Sequence, residues 1–365
     1  MKKVKIISIV GARPQFIKLA AVAERMSFEP FRKTFLHIII HTGQHYDYEM
    51  SKIFFQELNL PEADYHLEVK SQLPSEQIGR MMEGIEKVLL KERPDIVVVY
   101  GDTNTTVAGA ISAAHLKIPI AHIEAGLRSF RRDMPEEINR VLTDRISSLF
   151  FCPTKTAVQN LKREGQTKNV YFVGDVMYDV FLSVQKCLKQ RQILNTLGVC
   201  KKHYLLMTVH RKENLRMIKN LIKIFECLAT LKETIIFPVH PGTQRCLNEA
   251  GCDVKKFKNI KAIKPIGYLD MLYLEKNARK IITDSGGVQK EAYWNKTPCI
   301  VLRDETEWKE LTTSKCVILV GNDEKKLLSA LNKDCKIHRY NDKIFGNGNA
   351  ADKILDKILE WSYLQ

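Results

Sequence analysis

The chain has no apolar run long enough to cross a bilayer. Its longest, such as Ile96 to Tyr100, have the length of a β-strand, far short of the ~20 residues that a membrane helix needs. The start, Met1-Lys2-Lys3-Val4-Lys5, leads straight into a strand-like run with no h-region and no small-residue cleavage site. The expected compartment is therefore the cytoplasm, with no membrane partner. C-x-x-C spacing is missing too. The nine cysteines (Cys152, Cys187, Cys200, Cys227, Cys246, Cys252, Cys299, Cys316 and Cys335) are odd in number and scattered, which argues against a disulfide framework or a zinc site and for reduced structural thiols. No G-x-G-x-x-G follows the first strand-like run, so the usual seat for a nicotinamide dinucleotide is absent.

Acidic residues are outnumbered, 42 against 57 basic ones, giving a formal charge of +15 that is concentrated in the second half. Such an excess can mark a nucleic-acid surface. Here the lysines (Lys219, Lys223, Lys232, Lys256, Lys258, Lys261, Lys264) are spread through amphipathic segments, with no interleaved aromatics and no binding motif. They read as a solvated face, so no nucleic-acid partner is expected, and part of the excess is available to a small polyanionic substrate.

What is present is a regular alternation. Strand-like runs at Val4 to Ile9, Thr34 to Thr42, Ile96 to Tyr100, Ile118 to Ile123 and Leu149 to Cys152 are separated by helical patterns. That is the signature of a parallel sheet covered by helices on both faces. A second set runs through Val170 to Val173, Tyr204 to Val209, Thr234 to Val239, Ile260 to Ile263, Lys280 to Thr283, Pro298 to Leu302 and Val317 to Leu319. With 365 residues, more than one ordinary core holds, the expectation is an α/β chain of two doubly wound domains: residues 1–172, residues 173–346, and a terminal helix over 347–365 that returns to the first domain.

Open α/β sheets bind ligands beyond the carboxyl ends of their strands, and that is where the unusual residues stand. Ile282-Thr283-Asp284-Ser285-Gly286-Gly287-Val288-Gln289-Lys290-Glu291 passes from a strand through Ser-Gly-Gly into a helix. Bare backbone N–H groups at a positive helix N-terminus suit a diphosphate, and Glu291, a turn and a half further on, can reach a neighbouring sugar hydroxyl. The other strand ends carry Gly11-Ala12-Arg13-Pro14-Gln15-Phe16-Ile17-Lys18, Gly101-Asp102-Thr103-Asn104, His122-Ile123-Glu124-Ala125-Gly126-Leu127-Arg128 with Pro135-Glu136-Glu137-Ile138-Asn139-Arg140, His210-Arg211-Lys212-Glu213-Asn214, and Pro238-Val239-His240. Singly, Asp102 could be a helix cap, Glu136 a solvated first turn, His210 a satisfied polar side chain, and Arg128 and Arg140 ion-pair partners. Together, three carboxylates, a histidine and several cations at strand ends describe an anion-binding site equipped for acid–base chemistry.

At these residues the chain resembles the non-hydrolysing UDP-N-acetylglucosamine 2-epimerases, nearly end to end, through GARPQFIK, HTGQH, YGDTNTT, HIEAGLRS, MPEEINR, HRKEN, PVH and DSGGVQKEA. The resemblance implies two Rossmann-like domains facing across a cleft in the glycosyltransferase-B arrangement, a homodimer, and reversible inversion at C2 of a UDP-2-acetamido sugar without nicotinamide, metal or other cofactor. It implies catalytic positions at Asp102, Glu124, Glu136 and His210. Substrate positions are implied at Arg13, Lys18, Gln44, Arg128, Arg140, Arg211, Ser285, Gly286, Gly287, Glu291 and Arg303. Which carboxylate serves which face of C2 stays open.

The chain departs from the common family pattern at Ala12 and Gln15, at Trp308 where an arginine usually follows D-x-T-E, and at Asp47 where some bacterial members carry a glutamine of an activating site. Arg303 is the nearby cation able to stand in for that arginine. GARPQ, the Gly174-Asp175-Val176-Met177 run and Thr306-Glu307-Trp308 resemble the subgroup acting on UDP-2,3-diacetamido-2,3-dideoxyglucuronate, an alternative to UDP-N-acetylglucosamine. A glycosyltransferase of the same architecture would need an acceptor site and membrane-contacting loops in the first domain, and the sequence shows no such patch. A catalytically dead binder would lack an acid–base residue, and none is missing.

Overall fold

A computed structural model describes residues 3–44, 48–71, 73–333, 340–341 and 343–364. Asp47, His45 of the HTGQH motif and Cys335 lie outside the described residues. The chain divides into two compact units, Met1–Ser183 with Asp342–Gln365, and Val184–Asn341.

In the first unit the described strands are β1 (Val4–Val10), β2 (Phe35–His41), β3 (Tyr65–His66), β4 (Ile96–Tyr100), β5 (Ile120–Ile123), β6 (Leu149–Cys152) and β7 (Val170–Phe172), in the spatial order β3-β2-β1-β4-β5-β6-β7. All pairings are parallel, for example Ile7 beside Ile38 on one flank and Val97 on the other. Every residue of β4 is buried, as expected of a strand covered on both faces. Ile7, Ile9, Val97 and Val99 meet Met81, Ile85 and Leu89 of the helix Pro74–Glu92 in one core. Val170 to Val173, read as the opening of the second strand set, instead pairs with β6 and closes the first sheet. Its three strand residues are only half-buried, as suits a strand at the edge of the sheet; the apolar run shows a strand but not the sheet to which it belongs.

The second unit holds β8 (Tyr204–Thr208), β9 (Thr234–Pro238), β10 (Ile260–Ile263), β11 (Lys280–Thr283), β12 (Cys299–Val301) and β13 (Val317–Leu319), in the order β10-β9-β8-β11-β12-β13, again all parallel. Leu205, Met207, Ile235, Phe237, Ile282 and Ile300 form its core with Leu221, Ile224, Phe225 and Leu228 of the helix Ile218–Ala229. In both sheets the strand order reverses between two neighbouring strands, whose following connections leave toward opposite faces of the sheet, the arrangement that opens a crevice at the carboxyl edge. In the first that place is beside β1 and β4, in the second beside β8 and β11.

The terminal helix Ala350–Ser362 belongs to the first unit. Asp352 pairs with Arg25 of the helix Arg13–Met26 (2.5 Å), and Asp179 accepts the backbone N–H of Ala351 (2.8 Å). No helix among the described residues is long and apolar enough to cross a membrane.

Candidate active site

The first unit gathers its charges around the turn after β4. Gly101 has φ of +65°, a conformation that favours glycine, and a Cβ there would lie 2.7 Å from Lys18 Nζ and 3.1 Å from Glu124 Oε2. The turn therefore runs directly under a buried ion pair, Lys18 with Glu124. Lys18 comes from the helix Arg13–Met26, started by Pro14 and held at its entry by Gln15, whose Oε1 accepts the N–H groups of Gly11 (2.9 Å) and Ala12 (3.0 Å). The Gln15 amide then donates to Tyr100 O (3.0 Å), which ties the β1 and β4 turns together. Glu124, just past β5, is itself held at φ +74°, an uncommon backbone state for a residue with a side chain and one found often at functional sites.

Asp102 receives Arg140 from the helix Pro135–Ile146, and Arg140 also donates to Glu137 (3.1 Å). Asn139 on that helix donates to the Asp102 carbonyl (3.0 Å). Glu136 is half-buried in its first turn. The next helix, Asn104–His115, starts at Thr103 with a reciprocal cap: Thr106 N donates to Thr103 Oγ1 and Thr106 Oγ1 accepts Thr103 N (3.1 Å). Gln44 accepts both the N–H (2.9 Å) and the hydroxyl (2.8 Å) of Thr105. Arg13 lies over the Phe54 ring, 4.7 Å from its centroid. Asp102, Glu124, Lys18, Arg140 and Gln44 thus converge on one turn and the helix that leaves it.

Arg128 reaches that turn only indirectly. Its guanidinium is buried and divided between Glu164 (2.7 Å) and Asp144 (2.7 Å), and Asp144 in turn holds His122, whose Nε2 donates to the Gly101 carbonyl (2.7 Å). Burial alone would raise the Asp144 carboxyl, but His122 and Arg128 hold it below its ordinary range. Arg128 is therefore a support behind the turn in this arrangement. His122 lies on β5 and Asp144 on the helix Pro135–Ile146, so their pairing leaves no local pattern in the sequence.

In the second unit the Ser-Gly-Gly segment forms the expected strand-to-helix turn. Ser285 caps the helix Gly286–Trp294, accepting Val288 N (3.4 Å). A Cβ at Gly286 would lie 2.5 Å from Glu307 Oε1 and 3.3 Å from Trp308 Nε1. Glu307, buried, also holds Arg303 (2.9 Å) and Arg211 (3.5 Å). One carboxylate thus brings two of the expected substrate cations to the start of this helix. Trp308 is buried, with Lys290 Nζ 4.2 Å from its ring centroid, so the position usually held by an arginine here takes part in packing.

Asp284 was missed as a functional residue, although it stood within the most informative motif. Fully buried, it accepts His210 N (3.1 Å), Arg211 N (2.9 Å) and Asn214 Nδ2 (3.0 Å), and His210 Nδ1 lies 3.6 Å from it. It fastens the loop after β8 to the turn after β11. His210 itself is exposed, its ring 5.7 Å from that of His240.

Carboxylates fixed by cations on one unit, and a helix N-terminus flanked by arginines and a histidine on the other, are the components of an enzyme that binds a diphosphate and moves protons. A family model for UDP-N-acetylglucosamine 2-epimerase matches residues 31–359. The chain belongs to that family. It is 51% identical over 97% of its length to a UDP-N-acetylglucosamine 2-epimerase homolog of Methanococcus maripaludis, 99% of which is covered. It is 41% identical over 97% of its length to a UDP-2,3-diacetamido-2,3-dideoxy-D-glucuronate 2-epimerase of Pseudomonas aeruginosa, also 99% covered. The crystal structure of the Methanocaldococcus jannaschii UDP-GlcNAc 2-epimerase in complex with UDP-GlcNAc and UDP superposes with a TM-score of 0.90 at 45% identity, over 98% of this chain and 100% of that one. Members of this family are isomerases, with the doubly wound α/β fold seen here.

Proposed function

We propose that the chain inverts C2 of a UDP-2-acetamido sugar, interconverting UDP-N-acetylglucosamine and UDP-N-acetylmannosamine for surface polysaccharide precursors. The observation that carries this reading is the pair of acids at adjacent strand ends, Asp102 with Arg140 and Glu124 with Lys18, around the single turn at Gly101. The C2 proton of such a sugar is not flanked by a ketone, so a base alone would remove it too slowly. Breaking the C1–O bond to UDP builds positive charge at C1 and acidifies C2–H. Loss of that proton gives a 2-acetamidoglucal and bound UDP; a proton delivered to the other face of C2 and return of the UDP β-phosphate oxygen to C1 re-form the sugar nucleotide with C2 inverted.

Each step has residues suited to it. The departing diphosphate accumulates charge, which backbone N–H groups of Ser285, Gly286 and Gly287, with Arg13, Arg211, Arg303 and His210, would stabilise. Asp102, Glu124 and Glu136 are the acid–base groups, with Lys18 and Arg140 setting their side chains and Gln44 and Arg128 supporting the turn. Glu291 takes the ribose hydroxyls. Residues 1–172 would supply the acid–base groups, 173–346 the nucleotide cradle and 347–365 a closing helix on the first domain.

Trp308 favours a second reading, the same reaction on UDP-2,3-diacetamido-2,3-dideoxyglucuronate. With an indole in place of the usual arginine and two arginines brought in by Glu307, the cation pattern differs from the common one, and the relative acting on that sugar is 41% identical. Incubating the protein with each sugar nucleotide in deuterated water and following C2 by NMR separates the two; no inversion of either would refute the function. We further propose a cytoplasmic homodimer. Ile138, Leu142 and Ile146 form an exposed apolar stripe on one face of the helix Pro135–Ile146, and the described cysteines are all free. Sedimentation equilibrium giving only monomer would refute the dimer.

A further inference from the structure

Two acidic side chains from neighbouring helices meet inside the second unit. Glu275 stands near the end of the helix Tyr268–Asn277, and Glu291 is in the helix Gly286–Trp294. Glu275 is 0% exposed and Glu291 4%. The two helices pack against each other, and the Glu291 carboxyl bears directly on that of Glu275. Neither Glu275 oxygen receives an N–H or O–H donor from the described residues. Among the described residues, the Tyr204 phenol of β8 and the Cys299 thiol of β12 are also within its electrostatic reach, and the Tyr204 hydroxyl donates to Leu274 O (2.6 Å).

An ionised carboxyl cannot be kept in a dry interior without a donor or a counter-cation; it takes up a proton instead. Two carboxyl groups sharing one site hold a single proton between them. Burial first, and then the Glu291 charge, hold the Glu275 carboxyl well above the usual carboxylate range. A neutral acid has what a carboxylate lacks, an O–H to donate. An apolar side chain would fill the same space with no desolvation cost, so the acid is accounted for by what it does to Glu291.

We propose that Glu275 is a positioning residue for nucleotide binding: as a neutral acid it donates to the Glu291 carboxylate and fixes it to receive a ribose hydroxyl. This rests on the assignment of Glu291 to the ribose made above. Glutamine at 275 keeps a donor toward Glu291, whereas methionine keeps only the volume.

Calorimetric titration of UDP and of 2′,3′-dideoxyuridine diphosphate into the wild type, Glu275→Gln, Glu275→Met and Glu291→Gln tests the proposal. Glu275→Met should bind UDP roughly tenfold more weakly, the worth of one hydrogen bond to a charged group, and Glu275→Gln should recover most of that. With the dideoxy ligand the wild type and both Glu275 variants should bind alike. An unchanged UDP affinity in Glu275→Met, or a loss that persists with the dideoxy ligand, overturns the positioning role. If Glu291→Gln weakens UDP binding while Glu275→Met does not, only that role fails; if the wild type binds both ligands equally, the ribose assignment fails and takes the proposal with it. An infrared difference spectrum between wild type and Glu275→Gln at neutral pH should show a carboxylic-acid carbonyl band whether or not the methionine variant folds. Its absence would overturn the proposal.

Discussion

Asp284 accepts the backbone N–H of His210, a residue 74 positions earlier in the chain, with both carboxylate oxygens 3.1 Å away. Because Asp284 also takes Arg211 N and the Asn214 amide, it positions a whole loop against the Ser285 turn. Replacing one oxygen by an NH2 would set donor against donor. Asp284→Asn should therefore lower stability by about 1–3 kcal/mol and reduce kcat/KM for the UDP-sugar. A variant with wild-type melting temperature and turnover would show that the loop is held by something else.

The phosphate cradle gives a second test. Gly286 faces Glu307, and a Cβ there would lie 2.5 Å from its carboxylate. Gly286→Val should push Glu307 aside and release Arg303 and Arg211 as well as block backbone approach to the diphosphate. UDP affinity should fall by more than tenfold in calorimetry while far-UV circular dichroism is preserved. Wild-type affinity would contradict the cradle.

For the acid–base group, Asp102→Asn keeps the volume and an acceptor for Arg140 but removes a carboxylate. Turnover should fall by on the order of a hundredfold or more, with little change in substrate binding. Unchanged kcat would remove Asp102 from the chemistry.

The strand-end position of these groups was legible because a parallel sheet buries both faces. Ile96–Tyr100 and Tyr204–Thr208 read as unbroken apolar runs, so the residues after them stood out. The edge strand Tyr65–His66 has two residues and leaves no such trace. Partners were illegible for a different reason. Lys18 and Glu124 are 106 positions apart and Asp102 and Arg140 are 38 apart, so their meeting depends on strand order, which local periodicity does not encode. Glu275 sits in an ordinary helical pattern, and only the fold brings it to Glu291.

Asp179 anchors the terminal helix and should be visible in a pH titration. Burial first, with Asp175 and Asp352 adding to it, raises its carboxyl to about 6. The unfolded chain releases this proton near the ordinary carboxylate value of about 4, so between about pH 4 and 6 the folded chain holds a proton that the unfolded chain has lost. Stability from this group therefore falls as pH rises through 6, by at most about 3 kcal/mol. Asp179→Asn should flatten the decline in melting temperature between about pH 4 and 6.5. An equal slope in both proteins would assign the pH dependence elsewhere.

The elimination mechanism makes a prediction that does not depend on which sugar is used. If UDP leaves and returns, the C1–O bond must break during turnover, and the C2 hydrogen must pass through an acid–base group that exchanges with solvent. Deuterium should then enter C2 of the product from D₂O. An oxygen-18 label in the C1–O–P bridge should also scramble into non-bridging positions of the β-phosphate, provided that the β-phosphoryl group of bound UDP can rotate about its bond to the oxygen bridging the two phosphorus atoms. A hydride-transfer epimerase would keep both the original C2 hydrogen, carried on a nicotinamide, and the bridging label. Direct proton abstraction without C–O cleavage would exchange C2 but leave the bridge intact. Deuterium at C2 read by mass spectrometry, together with the position of the oxygen-18 label read from its isotope shift in the phosphorus NMR spectrum, therefore separates the three routes on one sample of recovered sugar nucleotide. Retention of both labels through many turnovers would end the roles given to Asp102, Glu124 and Glu136, and retention of the bridge together with no release of UDP or 2-acetamidoglucal during turnover would end those given to the Ser285-Gly286-Gly287 cradle as a leaving-group site.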